Sequence, residues 1–391
     1  MLIFFNIFTK KLTFKIYFAI NNIVIFAKIF FLGKNILICP LNWGLGHATR
    51  CVPIIKSLSR QGHRVIIAAD KGPLAFLQKA FPDLEFIKFP GFEPRYSKSN
   101  TQAFKMIASF PTALKEFRRD HKTVETIIKN HSIDIVISDN RFGCWSKQAH
   151  SVFITHQLHI QTPKIWRWAT PIINMFNNNY IKKYDEVWVP DDETEPSLGG
   201  KLSHPAIKRF NISYLGILSR FSSDNQGNTE KTNKYLVIIS GPEPQRTIFE
   251  DIVLKQAKTI KDNTLILRAK PDSNDLLGDV SPNISVFNHV DDEMFVKLVN
   301  SSENIICRGG YSSLMDLVRL NRTAYLIPTP GQTEQEYLAD HLEKHGHFRW
   351  CKQSDFQIDK VSTPTISIRD KYNDNENNID IFIQTWIKNL N

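Results

Sequence analysis

The run NIICRGGYSSLMDLVRLNRTAYLIPTPGQTEQEYLADHL, Asn304 to Leu342, governs how the rest of the chain is read. It opens on a short apolar strand. Arg308-Gly309-Gly310 then turn it into a helix pattern over Tyr311–Leu320. Glycines at such a turn let a ligand approach the backbone, and the N–H groups and positive dipole of the helix start favour a phosphate. Ser312 and Ser313 add hydroxyl donors, and Asp316, two turns in from Arg308, is placed to accept hydrogen bonds from a ribose. The next strand, TAYLIPT, ends in a proline–glycine loop that delivers Gln332, Glu334 and Gln335 to the same carboxyl edge. Amides and acids gathered there suit sugar hydroxyls. Each residue also has an ordinary reading, Asp316 as a solvated helix residue and Glu334 as an acid in a first helical turn.

Outward from this run, strands and helices alternate in both directions. YLVIIS (Tyr235–Ser240) is a strand, GPEPQR a turn and Thr247–Thr259 a helix. TLILRAK and ISVFNHV are strands, Asp291–Asn300 and Glu334–His345 helices. Before them SRFSSDNQGNTEKTNK, residues 219–234, has the polar composition of a linker. The first half alternates as well. Asn35–Cys39, His63–Asp70, LEFIKFP, Ile133–Asp139, Ser151–His156 and Asp185–Pro190 read as strands. Ala48–Gln61, with Gly62 as its C-cap glycine, GPLAFLQKAF and Phe104–His131 read as helices. Strands spaced by helices imply parallel, doubly wound sheets. The expectation is an α/β chain of two tandem Rossmann-like domains with a cleft between them. Its parts are a leader 1–33, a first domain 34–218, the linker 219–234, a second domain 235–362 and a tail 363–391. The tail ends in IDIFIQTWIKNL, an amphipathic helix suited to packing on a domain.

The first turn, NWGLGHATR, leaves three readings open. Gly44 and Gly46 fit two glycines of a GxGxxG fingerprint, and Asp70 ends the next strand about where a ribose-binding acid belongs. Against a dinucleotide, the third glycine is Thr49 and the residue after the second is His47, which would crowd a pyrophosphate. His47 is otherwise a catalytic base or a structural cap.

Bulk properties narrow the class. The chain has 391 residues, 42% hydrophobic and 23% charged, which fits two soluble domains. Five scattered cysteines, with no CxxC or Cys/His cluster, argue against a disulfide framework or a zinc site and for a reducing compartment. The net charge of +10 suits a phosphate-bearing ligand or an anionic membrane, and no basic stripe points to nucleic acid. The first 33 residues hold four lysines and no acid, so the rest carries +6. Lys15, Asn21, Asn22 and Lys28 interrupt its apolar run. This leader reads as translated upstream sequence or a disordered segment, with a membrane-associated helix as the alternative.

From about residue 35 to 345 the chain resembles the GT-B glycosyltransferases. The closest likeness is to the branch containing the N-acetylglucosaminyltransferase of peptidoglycan synthesis and the family 28 and family 1 UDP-sugar transferases. The carrying motifs are GLGH early and RGGY…D…PTPGQTEQEYLA late. The resemblance implies that Arg308, Gly309, Gly310, Tyr311 and Ser312 form the donor-phosphate turn, and that Asp316, eight residues after the arginine, binds the donor ribose. It assigns Glu334 and Gln335, with Gln332 beside them, to the donor sugar's hydroxyls, and Ser240-Gly241 to the diphosphate. The base is expected near Val286–Val290. That last glycine turn runs SGPEPQR, with prolines where the family has more glycine, and Arg246 would compensate as a phosphate partner. His47 becomes the general base of an inverting hexosyl transfer. Asp139 would orient it or meet the acceptor, and His156, with Gly44 and Gly46, would lie on the acceptor side. Metal and cofactor are not expected: Asp191-Asp192 and Asp291-Asp292 read as loop or helix-start acids.

Acceptor choice should lie in first-domain loops, GFEPRYSKSN and TPKIWRWATPIINMFNNNYIKK. The second mixes Trp166, Trp168, Ile172, Ile173, Met175 and Phe176 with Lys164, Arg167, Lys182 and Lys183. It fits a membrane interface reaching a lipid or lipid-linked acceptor, but a core helix with basic ends is the expected form. The implied setting is a bacterial cell-envelope glycan, in the cytoplasm or at the inner face of its membrane. A nucleotide-sugar 2-epimerase of the same fold and a non-catalytic sugar-nucleotide binding protein are the competing functions.

Overall fold

The computed structural model describes residues 33–91, 110–204, 210–222, 230–270, 278–372 and 377–390. The leader before Gly33, most of GFEPRYSKSN, the start of the helix expected from Phe104 and the middle of the linker lie outside these residues.

The first sheet has seven parallel strands: β1 (Asn35–Pro40), β2 (Arg64–Ala69), β3 (Glu85–Lys88), β4 (Ile135–Asp139), β5 (His150–Ile154), β6 (Glu186–Val189) and β7 (Ile212–Tyr214). Their spatial order is β3-β2-β1-β4-β5-β6-β7. Helices α1 (Gly46–Arg60), α2 (Lys71–Ala80), α3 (Phe110–His131) and α4 (Thr170–Ile181) connect them. The order reverses between β1 and β4, and ligands of open α/β sheets bind beyond the strand ends at that crevice. Pro40 is level with Asp139 in the β1–β4 register, and the Leu41 N–H donates to the Asp139 carbonyl at 3.0 Å. The glycine turn therefore starts beside Asp139. Beyond it α1 runs down the sheet on Cys51, Val52, Ile54, Ile55 and Leu58, all buried. It ends as expected at Gly62, whose φ of +81° permits the closing bonds Gly62 N–H to Ser59 O at 3.1 Å and His63 N–H to Leu58 O at 3.2 Å.

The second sheet repeats the plan with β8 (Asn233–Ile238), β9 (Thr264–Leu267), β10 (Gly278–Ser281), β11 (Ile284–Phe287), β12 (Ser302–Cys307), β13 (Tyr325–Leu326) and β14 (Arg349–Trp350). Its order is β10-β11-β9-β8-β12-β13-β14. Only β10 runs antiparallel, an edge strand that the alternation did not announce. The helices are α5 (Gln245–Ala257), α6 (Asp292–Ser301), α7 (Tyr311–Arg319), α8 (Thr333–Lys344) and α9 (Asn377–Asn389). Here the order reverses between β8 and β12, whose ends carry Ser240-Gly241 and Arg308-Gly309-Gly310.

Two elements depart from or sharpen the sequence reading. The stretch TPKIWRWATPIINMFNNNYIKK is not a core helix. A 3-10 turn over Lys164–Ala169 leads into α4, which buries only Asn174, Asn177 and Ile181. Ile165, Trp168, Ile172, Met175 and Phe176 face outward, Trp168 with 69% of its surface exposed. The C-terminal helix returns to the first domain. The Trp386 ring meets Trp188 edge-on at 4.7 Å, its indole N–H reaches the Glu186 carboxylate at 3.0 Å, and Asp380 pairs with Arg60 at 2.8 Å. Truncating this anchor should loosen α9. Trp386→Ala is expected to lower stability by about 3–5 kcal/mol, the usual cost of removing a buried tryptophan, read from urea unfolding of the full chain.

Candidate functional site

Two helix starts face each other between the sheets. The α7 Ser312 hydroxyl donates to the Gly46 carbonyl at 2.9 Å, at the first residue of α1. A Cβ on Gly46 would sit 2.9 Å from the Ser312 oxygen, so the approach needs a residue without a side chain there. The turn ahead of it uses Gly44 at φ +80°. Thr49, the misfit of the dinucleotide fingerprint, donates its hydroxyl to the same Gly46 carbonyl at 3.0 Å.

His47 leaves the first turn of α1 toward the end of β4. Its Nδ1 lies 3.1 Å from Asp139 Oδ1 and 2.9 Å from an Arg50 nitrogen. Its side chain keeps 16% of its surface exposed, whereas Asp139 has none. Full burial removes the reading in which Asp139 meets an acceptor: it can act only through its neighbours. Burial alone would raise the Asp139 pKa, but the Arg50 guanidinium and His47 hold its carboxyl well below the usual carboxylate range. The His47 imidazole is pushed down, first by burial and then by Arg50, with Asp139 opposing. Arg50 is a residue that motif reading missed. The available signal was its spacing, since it lies three after His47 on the face that carries Cys51 and Ile54, and a charge on a buried face needs a partner.

His156 follows β5 and points across to the second domain rather than to an acceptor. Its Nδ1 is 3.3 Å from Arg50, and its Nε2 is 2.7 Å from Glu334 Oε1. The ring stacks on Tyr311 at 3.9 Å between centroids. Gln157 donates its amide to the other Glu334 oxygen. Glu334 would be raised by burial, but His156, His47 and Arg50 lower it, so it stays ionised. His47, Asp139, Arg50, His156 and Glu334 thus form one hydrogen-bonded network of ionisable groups spanning the two domains.

The remaining candidates divide. Gln335 is held by its neighbours, accepting from the Thr329 N–H at 2.8 Å and donating to Gln332 at 2.5 Å. Gly309 packs under that pair, where a Cβ would be 3.3 Å from the Gln335 carbonyl. Gly310 is the extended residue before α7, and the first N–H groups of α7 have no intrahelical acceptor. Gly241 has φ +106° in an exposed turn beside Thr329, with Ser240 before it. Asp316 sits at the junction of the domains, accepting from Ser219 at 2.6 Å, and burial raises its pKa.

Three side chains do something other than expected. Arg308 is buried, donates to the Ile327 and Gln245 carbonyls at 3.0 Å each and stacks on Phe249. It braces the turn and does not present its charge to a phosphate. Arg246 is likewise buried and paired with Glu243 and Glu250. The Tyr311 hydroxyl is committed to the Pro190 carbonyl at 2.8 Å. Asp191 accepts from the N–H groups of Leu198 and Gly199, which makes it a loop organiser as expected, and Asp291 caps α6 through the Met294 N–H at 2.8 Å. Among the described residues no His/Cys/Asp/Glu group of three or more is arranged to hold a metal ion, and no helix is long and apolar enough to cross a membrane.

Comparison with known proteins agrees with the two-domain fold. Residues 224–385 match the glycosyltransferase family 28 C-terminal domain, and residues 35–162 match glycosyl transferase family 1. An uncharacterized glycosyltransferase of Methanosarcina acetivorans is 22% identical over 334 residues, covering 82% of this chain and 86% of its own. Among solved structures, the glycotransferase of kitacinnamycin superimposes with a TM-score of 0.62 at 14% identity, covering 90% of this chain and 99% of that one. The glycosyltransferase SnogD from Streptomyces nogalater gives 0.53 at 12% identity, covering 90% and 95%.

Proposed function

Given that this chain is a glycosyltransferase of the GT-B fold, we propose that it performs an inverting, metal-independent transfer from a UDP-sugar to an acceptor hydroxyl, with His47 as general base. One observation carries the reading. The His47–Asp139 pair at 3.1 Å stands at the start of α1, and the start of α7 is bonded to that same turn. In this reading a base and an anion-binding helix end meet where the two domains touch.

In this reading the acceptor hydroxyl attacks the anomeric carbon while its proton passes to His47 Nε2. The bond from that carbon to the diphosphate breaks on the far side. The backbone N–H groups at the start of α7, Ser312 among them, with the turn of Gly309 and Gly310, take the charge that develops on the leaving group. Ser240-Gly241 closes the other side of the diphosphate. Asp316 receives the ribose, and Gln332, Glu334 and Gln335 the sugar hydroxyls, which join the bonds that His156 and Gln157 already make to Glu334. Uridine as the base rests on the family resemblance alone.

The acceptor we propose is a lipid or lipid-linked sugar of the cell envelope, met at the inner face of a bacterial cytoplasmic membrane. The exposed face of α4 supports this. Trp168, Ile172, Met175 and Phe176 lie outward, with exposed Arg167, Lys182 and Lys183 around them. Residues 157–184 contain no Asp or Glu. Apolar side chains bordered by cations suit the interface of an anionic bilayer.

Two measurements test this function. His47→Ala should lower kcat by about 10²–10⁴-fold with donor affinity and melting temperature nearly unchanged. Asp316→Ala should do the converse, weakening calorimetric UDP-sugar binding by about 1–3 kcal/mol. A folded His47→Ala protein with near-normal kcat rejects the base assignment. Separately, the protein should sediment with phosphatidylglycerol vesicles and not with phosphatidylcholine ones. Replacing Lys182 and Lys183 by Gln should weaken that partition about 30-fold, at about 1 kcal/mol per cation near an anionic surface. Equal partition before and after would detach α4 from the membrane reading.

A further inference from the structure

We propose that Arg50 is the positioning residue of the transfer: it clamps the Asp139 carboxylate so that one oxygen receives the His47 Nδ1–H, and its fixed charge keeps the imidazole unprotonated until the acceptor delivers a proton. The inference rests on His47 being the base. Arg50 stands one helical turn after His47, so both side chains leave the same side of α1. Its side chain is almost fully buried. Its Nε donates to Asp139 Oδ2 at 2.6 Å and a terminal nitrogen donates to Oδ1, a two-pronged grip that fixes the plane of the carboxylate. That same terminal nitrogen lies 2.9 Å from His47 Nδ1, and the other lies 3.3 Å from His156 Nδ1.

A guanidinium carries only donors and does not release a proton in this pH range. Arg50 is therefore no relay. It acts on where its neighbours hold their protons. At neutral His156 the outcome is single: Nδ1 accepts from Arg50, so Nε2 carries the hydrogen that goes to Glu334 at 2.7 Å. At His47 the outcome is a competition. Nδ1 meets an obligate donor in Arg50 and an obligate acceptor in Asp139. Accepting from Arg50 would place the hydrogen on Nε2 and disable the base. Donating to Asp139 leaves the Nε2 lone pair free. In the proposal the two-pronged grip decides for Asp139: it turns Oδ1 onto Nδ1 at 3.1 Å and engages with that same oxygen the Arg50 nitrogen that lies 2.9 Å from Nδ1. The groups facing His47 are Arg50 from α1, Asp139 from β4, His156 beyond β5 and Glu334 from α8. Burial and Arg50 disfavour the imidazolium, and Asp139 opposes them.

The test titrates His47 by nitrogen-15 NMR in full-length protein labelled at histidine, with the pH profile of kcat/KM alongside, for wild type, Arg50→Lys and Arg50→Gln. The wild-type imidazole should titrate below about 6.5, with the neutral form protonated at Nδ1. Arg50→Gln should raise that titration and the acid limb of kcat/KM together by about one unit, because a neighbouring cation has gone. Arg50→Lys keeps the charge but grips one oxygen, so the titration should hold while the Nε2-protonated tautomer gains population and kcat falls. A wild-type value at or above the ordinary one, or an Arg50→Gln titration that does not move, overturns the proposal. If Arg50→Gln does not fold, an unchanged tautomer and kcat in Arg50→Lys overturn it alone. Near-normal kcat in His47→Ala is a different failure, since it removes the base and leaves the NMR result standing.

Discussion

Asp139 is a carboxylate with no exposed surface, and it stays ionised there because the Arg50 guanidinium holds both of its oxygens. A lone buried carboxylate would take a proton or pull water inward; a two-pronged partner makes the charge tolerable. The geometry around the cleft follows from that pair. Asp139 is fixed at the end of β4 by the register with β1, so Arg50 must come from the first turns of α1 to meet it. That sets the rotation of α1. With the rotation set, His47 one turn earlier falls on the same carboxylate, and the free arm of the guanidinium reaches His156. One ion pair thus orients a helix, the His47 imidazole and the residue that links the two domains.

The network continues through His156 to Glu334, which makes domain approach a chemical matter as well as a steric one. Glu334 retains about a third of its side-chain surface, so it is reachable while bonded to His156 and Gln157. A sugar hydroxyl entering there would meet an acceptor already polarised by the first domain. The contact is stiffened behind the site. The Tyr311 hydroxyl is tied to Pro190, the Tyr337 hydroxyl accepts from the Lys201 N–H at 2.8 Å, and Asp191 organises the intervening loop. Helix α9 then straps the end of the chain to the domain where it began.

Much of this was legible in the sequence because sheet interiors are uniform in composition. The runs NILICP, RVIIAA, IVISD and NIIC hold the unbroken apolar stretches ILIC, VIIAA, IVI and IIC, with polar residues only toward their ends, as strands covered on both faces require. Their spacing by helical patterns gave both sheets. The short edges were not legible: β7, β13 and β14 have two or three residues each, too few to show a period, and β10 pairs backwards at a rim. The α4 region was misread because apolar composition does not say which way a face points. Its buried side is made of Asn174, Asn177 and Ile181, two of which bury amides that bond the preceding loop. At the site, residue types were legible and directions were not. Arg308 and Arg246 sit where cations near a phosphate would be sought, yet both are turned into carbonyls or carboxylates of their own domain. A sequence gives the charge at a position; whether that charge braces the wall or faces the ligand is decided by neighbours distant along the chain.

Gly46 shows the same limit from the other side. A glycine between a strand and a helix start reads naturally as room for a pyrophosphate. Here the room is taken by protein, since the Ser312 hydroxyl lies against the Gly46 carbonyl and leaves no space for a Cβ. The glycine permits two helix starts to approach, and each carries a partial positive charge. Two such ends brought together repel unless an anion or a well-placed acceptor lies between them. The Gly46 carbonyl, accepting from both Ser312 and Thr49, is one such acceptor. A diphosphate bound at the start of α7, as proposed above, would be another, and its charge would draw the two helix ends together.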